Sequence, residues 1–75
     1  MQNSKEKTLS QRIADRIIKY ILEENLQPGD KLPNETVMCE QLNVGRSSLR
    51  EAMRALASRN VITIRQGSGS YVSAT

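Results

Sequence analysis

The stretch "ETVMCEQLNVGRSSLREAMRAL", Glu35 to Leu56, decides the fold. Its second half repeats arginine every four residues, at Arg46, Arg50 and Arg54, with apolar residues between. At 100° per residue Arg50 lies roughly 40° from Arg46, Arg54 about 80° and Ser47 about 100°. Leu49, Ala52, Met53 and Leu56 fall at about 240° to 340° on the same wheel. One helix, about Arg46 to Arg59, therefore carries a packing face and a separate cationic face. The first half predicts a short helix from Glu35 to Leu42, with Asn34 as its N-cap, Glu35 in its first turn and Met38 and Leu42 on one face. Asn43 stands where that helix must stop, in a residue type that tolerates the left-handed conformation. Two helices joined by about three residues have the spacing of a helix-turn-helix.

Upstream, Leu9, Ile13, Ala14, Ile17, Ile18, Tyr20, Ile21 and Leu22 recur at intervals of three and four, which predicts an amphipathic helix within Thr8 to Asn25. Asp15, Arg16, Lys19 and Glu23 lie opposite. Thr8 or Ser10 can cap its start. Pro28-Gly29 is turn chemistry, and Pro33 fixes entry to the next helix. Downstream, Asn60 is a second αL terminator. The β-branched run "VITI", the loop "RQGSGS" and "YVS" then read as a β-hairpin. The expected fold is α+β, mainly α: a winged helix-turn-helix of three helices followed by a two-stranded β-hairpin wing.

Length and composition limit what else the chain can be. Seventy-five residues make one small domain with a marginal core, too short for a separate catalytic unit. Histidine, tryptophan and phenylalanine are absent, so the core must be aliphatic. The single cysteine, Cys39, excludes an internal disulfide framework or a cysteine-rich zinc site, and reads as a small buried hydrophobe. No catalytic set of residues is visible and no metal ligand set is expected. No apolar run approaches the ~20 residues of a membrane span. The start, "MQNSKEKTLS", lacks the apolar segment of a signal peptide, so residues 1–7 read as a disordered lead-in to a domain at 8–75. These features suit a reducing cytoplasm.

Charge is distributed unevenly. Residues 1–44 hold six Lys/Arg against seven Asp/Glu, a net −1; residues 45–75 hold five arginines against Glu51 alone, a net +4. Arginine's planar fork suits phosphate and guanine edges. In the first turn of the third helix, unsatisfied N–H groups attract phosphate, and Ser47 and Ser48 can donate to it. Arg46 can reach a base or the backbone, and Arg50 a base edge. Taken alone, these are ordinary surface arginines and capping serines. The helix-turn-helix and wing order favours a nucleic-acid contact. Arg54 either pairs with Glu51 at i, i+3 or touches a distant phosphate. Gly67 and Gly69 permit a tight hairpin. With Arg65 and Gln66 beside them, they also let a wing enter a narrow minor groove. A protein-interaction module without DNA binding is the alternative, and it would tend to put apolar or acidic residues at these positions.

The segment "LPNETVMCEQLNVGRSSLREAMRALASRNVITIRQGSGSYV" resembles the winged helix-turn-helix domain of the GntR family of bacterial transcription regulators. The pattern runs from the leucine-proline before the second helix, through Val44-x-Arg46 and Leu49-Arg50-Glu51-Ala52, to Gly67-x-Gly69-x-Tyr71-Val72. With the first helix it covers about residues 8 to 73, and "LREAMRAL" looks more like the FadR-like branch than the others. The resemblance implies a homodimer on a palindromic double-stranded operator, usually acting as a repressor. It implies that Arg46 and Arg50 read bases, that Gly45, Ser47 and Ser48 contact phosphate, and that Gln66 and Gly67 place the wing in the minor groove. Thr36 departs from the pattern: the family usually has an arginine there that reaches the major groove, a distance threonine cannot span. Gly45 replaces a usual Ser or Thr cap, and Asn43 and Asn60 stand where glycine is common. No cofactor is expected in this chain. A small-molecule effector and tight dimerisation belong to a C-terminal domain beyond Thr75, so the chain is expected to be part of a longer regulator and, alone, a monomer or weak dimer.

Overall fold

The computed structural model describes residues 7–74; residues 1–6 of the expected lead-in lie outside them. Helix α1 spans Leu9–Glu23, α2 Glu35–Leu42 and α3 Arg46–Ser58, followed by strands β1, Ile62–Arg65, and β2, Gly69–Val72. Thr8 caps α1 reciprocally with Gln11: its hydroxyl accepts from the Gln11 N–H at 3.2 Å, and its own N–H donates to Gln11 Oε1 at 2.9 Å. Asn34 caps α2 by accepting from the Val37 N–H at 2.8 Å. Gly45 begins α3 without a side-chain cap.

Each helix closes on an asparagine with positive φ: Asn25 at 57°, Asn43 at 58° and Asn60 at 62°. The next residue then donates back into the last turn, Leu26 to Ile21 O, Val44 to Cys39 O and Val61 to Leu56 O, each at 3.0 Å. This closure satisfies carbonyls that a helix end leaves open. Asn43 and Asn60 were expected as terminators; Asn25 was not, because Pro28-Gly29, beginning three residues later, looked sufficient to break the helix.

The core is aliphatic throughout. Ile13, Ala14, Ile17 and Ile21 of α1 pack with Leu49, Ala52, Met53 and Leu56 of α3, with Met38, Leu32 and Ile62 closing the sides. Cys39 is a free thiol, half-buried against this cluster. The wing differs in register from the expectation. Val61 lies outside the strand because its N–H closes α3, and β1 runs one residue further, to Arg65. Arg65 pairs with Gly69, leaving Gln66, Gly67 and Ser68 as the turn, so the second strand starts two residues earlier than expected. The wing is not free-standing either. Lys31 forms an isolated antiparallel bridge with Tyr71, and Leu32 donates to Ser70 O at 2.9 Å, tying β2 to the segment before α2.

Two substitutions separate packing from capping. Leu56→Ala, at a fully buried position, should cost about 2–5 kcal/mol, whereas Asn34→Ala should cost about 1 kcal/mol. Denaturant melts of both variants check this; similar losses would mean that α2's start matters as much to the fold as the core.

Candidate nucleic-acid interface

The connection through Asn43 and Val44 folds α2 back so that its first turn lies beside the first turns of α3. This brings Glu35 within reach of two arginines fifteen and eleven residues away in sequence. Arg50 Nε donates to Glu35 Oε2 at 2.7 Å, and Arg50 Nη2 to Oε1 at 3.2 Å. Arg46 Nε lies 4.0 Å from Glu35 Oε1, while Arg46 Nη2 donates to Thr36 Oγ1 at 3.3 Å. The arginine face is therefore not free, as a wheel of α3 alone suggests. A wheel reports neighbours three or four residues away on one helix, and these partners come from another helix. Arg50's hydrogen bond and the charges of both arginines hold the Glu35 carboxyl below its ordinary range, against a smaller opposing effect of burial. The hydrogen bond to Glu35 and its charge in turn push Arg50 above its ordinary value.

The other expected residues fall around the same surface. Gly45, Arg46 and Ser47 are exposed at the start of α3, with Ser48 half-buried beside them. An open groove of about 650 Å³ runs between α3 and the wing, bordered by Arg50, Arg54, Arg65, Gln66 and Gly67 over an apolar floor that includes Met53. Arg54 forms no ion pair with Glu51 among the described residues, so the i, i+3 alternative is not what the structure shows. At the wing, the Arg65 guanidinium sits over the Tyr71 ring, 5.4 Å from its centroid, and the Tyr71 hydroxyl hydrogen-bonds Ser68 across the turn. The Lys31 stem lies across Gly69 so closely that a Cβ there would meet Lys31 Cε at 2.9 Å. Lys31 Cε is the movable end of a flexible side chain, so it is the φ of 133° at Gly69 that calls for glycine.

Sequence reasoning missed four contributors. Glu35 was read only as a first-turn acid, and Lys31 was not singled out. Tyr71 was read only as a strand residue. Arg16, assigned to the solvated face of α1, donates from Nη1 to Leu42 O at 2.9 Å and closes the end of α2. Among the described residues no group of three His, Cys, Asp or Glu could hold a metal, and no helix is long and apolar enough to cross a membrane.

The three helices, the hairpin and the basic groove between them define a winged helix-turn-helix, the class of domain that reads duplex DNA with its third helix. The sequence profile of "Bacterial regulatory proteins, gntR family" matches residues 9–72. The chain is 41% identical over 66 residues to the mannosyl-D-glycerate transport/metabolism system repressor MngR of Escherichia coli, a match covering 88% of this chain and 28% of that protein. Among solved structures, Streptococcus agalactiae GntR matches with a TM-score of 0.83 and 51% identity over 87% of this chain and 32% of that one. The N-terminal domain of AraR, solved in complex with a mutant of operator ORR3, matches with a TM-score of 0.81 and 25% identity over 91% of this chain and 97% of that one. The chain belongs to the gntR family of bacterial regulatory proteins, as its winged-helix DNA-binding domain rather than an enzyme. It spans about a quarter of the length of the curated relatives it matches.

The Glu35 pair gives a pH prediction. A carboxyl whose pKa is lowered on folding stabilises the fold above its unfolded value, about 4.3, and loses that contribution as pH falls through the folded value. The melting temperature of the wild type should exceed that of Glu35→Gln by a small constant margin from neutral pH to about 5, closing below about pH 4. A margin unchanged at pH 3 would show that the charge on Glu35 is irrelevant to stability.

Proposed function

We propose that this chain binds a specific operator in double-stranded DNA, with α3 in the major groove and the wing turn in the neighbouring minor groove. The observation that carries the reading is that Arg50 and Arg54 of α3 border one groove with the wing turn, so a single duplex can meet both. The fold it shares with the operator-bound AraR domain supports the same docking. Arg50 is the principal base reader, one turn into α3. Arg46 serves a base or the backbone. Gly45, Ser47 and Ser48 surround phosphate at the helix start, where backbone N–H groups are open. Arg65, Gln66 and Gly67 enter the minor groove, where width and A·T-versus-G·C character are read. Two copies meet a two-fold symmetric operator. Repression follows in this reading from occupancy of the operator; the relative MngR is named a repressor. Effector binding and tight dimerisation are assigned to the rest of a longer, cytoplasmic regulator, and the domain alone is a monomer or weak dimer.

Selection from a random duplex pool, repeated at two salt concentrations, tests the reading. If each copy neutralises roughly 3–5 phosphates, log K should fall against log salt with a slope of about −0.9 per contact. A flat titration would remove DNA as the partner, and a pool that yields no consensus would remove a specific operator.

The arginines separate by role. Arg50→Ala should lower affinity for the selected site about tenfold or more and relax preference at one base position per half-site. Arg54→Ala should weaken every duplex alike, and slightly. Titration of both variants against each single-base change in a half-site decides it. Uniform loss in Arg50→Ala would make Arg50 a phosphate clamp.

A further inference from the structure

We infer that Glu35 is a specificity-determining positioning residue: it holds Arg50 by one edge of the guanidinium and leaves the other edge presented for a base. The inference rests on the reading of α3 as the helix in the major groove, and the geometry of the pair carries it. A guanidinium has five N–H donors in a fixed plane, arranged as two forks. One fork is Nε with the near hydrogen of Nη2; the other is the outward pair on Nη1 and Nη2. Glu35 occupies the first fork, at 2.7 and 3.2 Å. The second fork, which matches O6 and N7 of guanine, is not used by this contact. Glu35 and the base therefore do not compete. The carboxylate fixes the plane and direction of the guanidinium before DNA arrives, so less rotamer freedom is lost on binding.

The same carboxylate stands only 4.0 Å from Arg46 Nε, and Thr36 Oγ1 accepts from Arg46 Nη2 at 3.3 Å. The first turn of α2 thus sets both arginines of α3, Arg50 by a bidentate grip and Arg46 by a looser one. Thr36, at a position where an arginine is expected to reach DNA itself, acts here through Arg46. Glu35 also has a cost. It brings negative charge to a surface that meets phosphate, so its removal should help binding to DNA of any sequence while harming discrimination.

The test measures the wild type, Glu35→Gln, Arg50→Ala and the double variant against the selected operator, every single-base change in a half-site, and an unrelated duplex. In Glu35→Gln, preference at the base read by Arg50 should fall about tenfold, within the range one bidentate base contact supplies. Affinity for the unrelated duplex should hold or rise. In the Arg50→Ala background, Glu35→Gln should produce no further change in preference at the base that Arg50 reads. Hydrogen-exchange or melting data would confirm that Glu35, which is not in the core, can be replaced without unfolding the domain. If Glu35→Gln shifted all duplexes equally with the preference profile intact, Glu35 would be a stabilising or electrostatic residue only, and the inference would be overturned while the DNA reading stood. If the wild type itself showed no base preference, both would fall.

Discussion

The left-handed turn at Asn43 is the constraint on which the arrangement depends. At φ 58° and ψ 52° it ends α2 and reverses the chain in the space of three residues. A longer loop would leave α2 and α3 free to slide relative to each other. This one fixes the first turn of α2 against the first turns of α3, and Arg16 reaches over from α1 to take the Leu42 carbonyl just before the turn. A side chain on α1, a backbone conformation between helices and a carboxylate on α2 together set the position of two arginines on α3. The aliphatic core supplies the platform, since Leu49 and Met53 point inward from the same helix that turns Arg46 and Arg50 outward.

The fold was legible because its signals are local. Period-three-and-four apolar spacing marked α1 and α3, Asn34 marked the start of α2 within one helix turn, and β-branched residues around a glycine turn marked the wing. The errors came where two local rules claimed one residue. Val61 has the side chain of a strand residue, but its N–H is spent closing α3. Asn25 stood next to a stronger turn signal. The family resemblance was available for the same reason, because its pattern lies in turns, caps and the arginine helix.

The candidate residues could be named from the sequence, but their wiring could not. Arg46, Arg50, Arg54, Arg65, Gln66 and Gly67 could be named from exposure and charge, and the structure gathers Arg50, Arg54 and the wing residues around one groove. That Arg50 is already engaged could not be named, because Glu35 is fifteen residues away and the pairing exists only once Asn43 has turned the chain. Lys31 and Tyr71 share the limitation. Their importance lies in a bridge between the segment before α2 and the second wing strand, and in a guanidinium resting on a ring.

Thr36 shows how the wiring changes the meaning of a substitution. Judged by reach, threonine in place of arginine is a lost contact with DNA. In the folded chain it is a hydroxyl acceptor at the edge of a cluster that already holds two guanidinium groups and one carboxylate. A third arginine there would compete for Glu35 and add like charge beside Arg46, whereas a neutral acceptor gives Arg46 the partner that Glu35, committed to Arg50, supplies only at 4.0 Å. In the proposed docking, base reading is thereby concentrated on two arginines held to different degrees of rigidity. The bidentate one suits a fixed base contact, and the loosely held one suits a choice between base and phosphate.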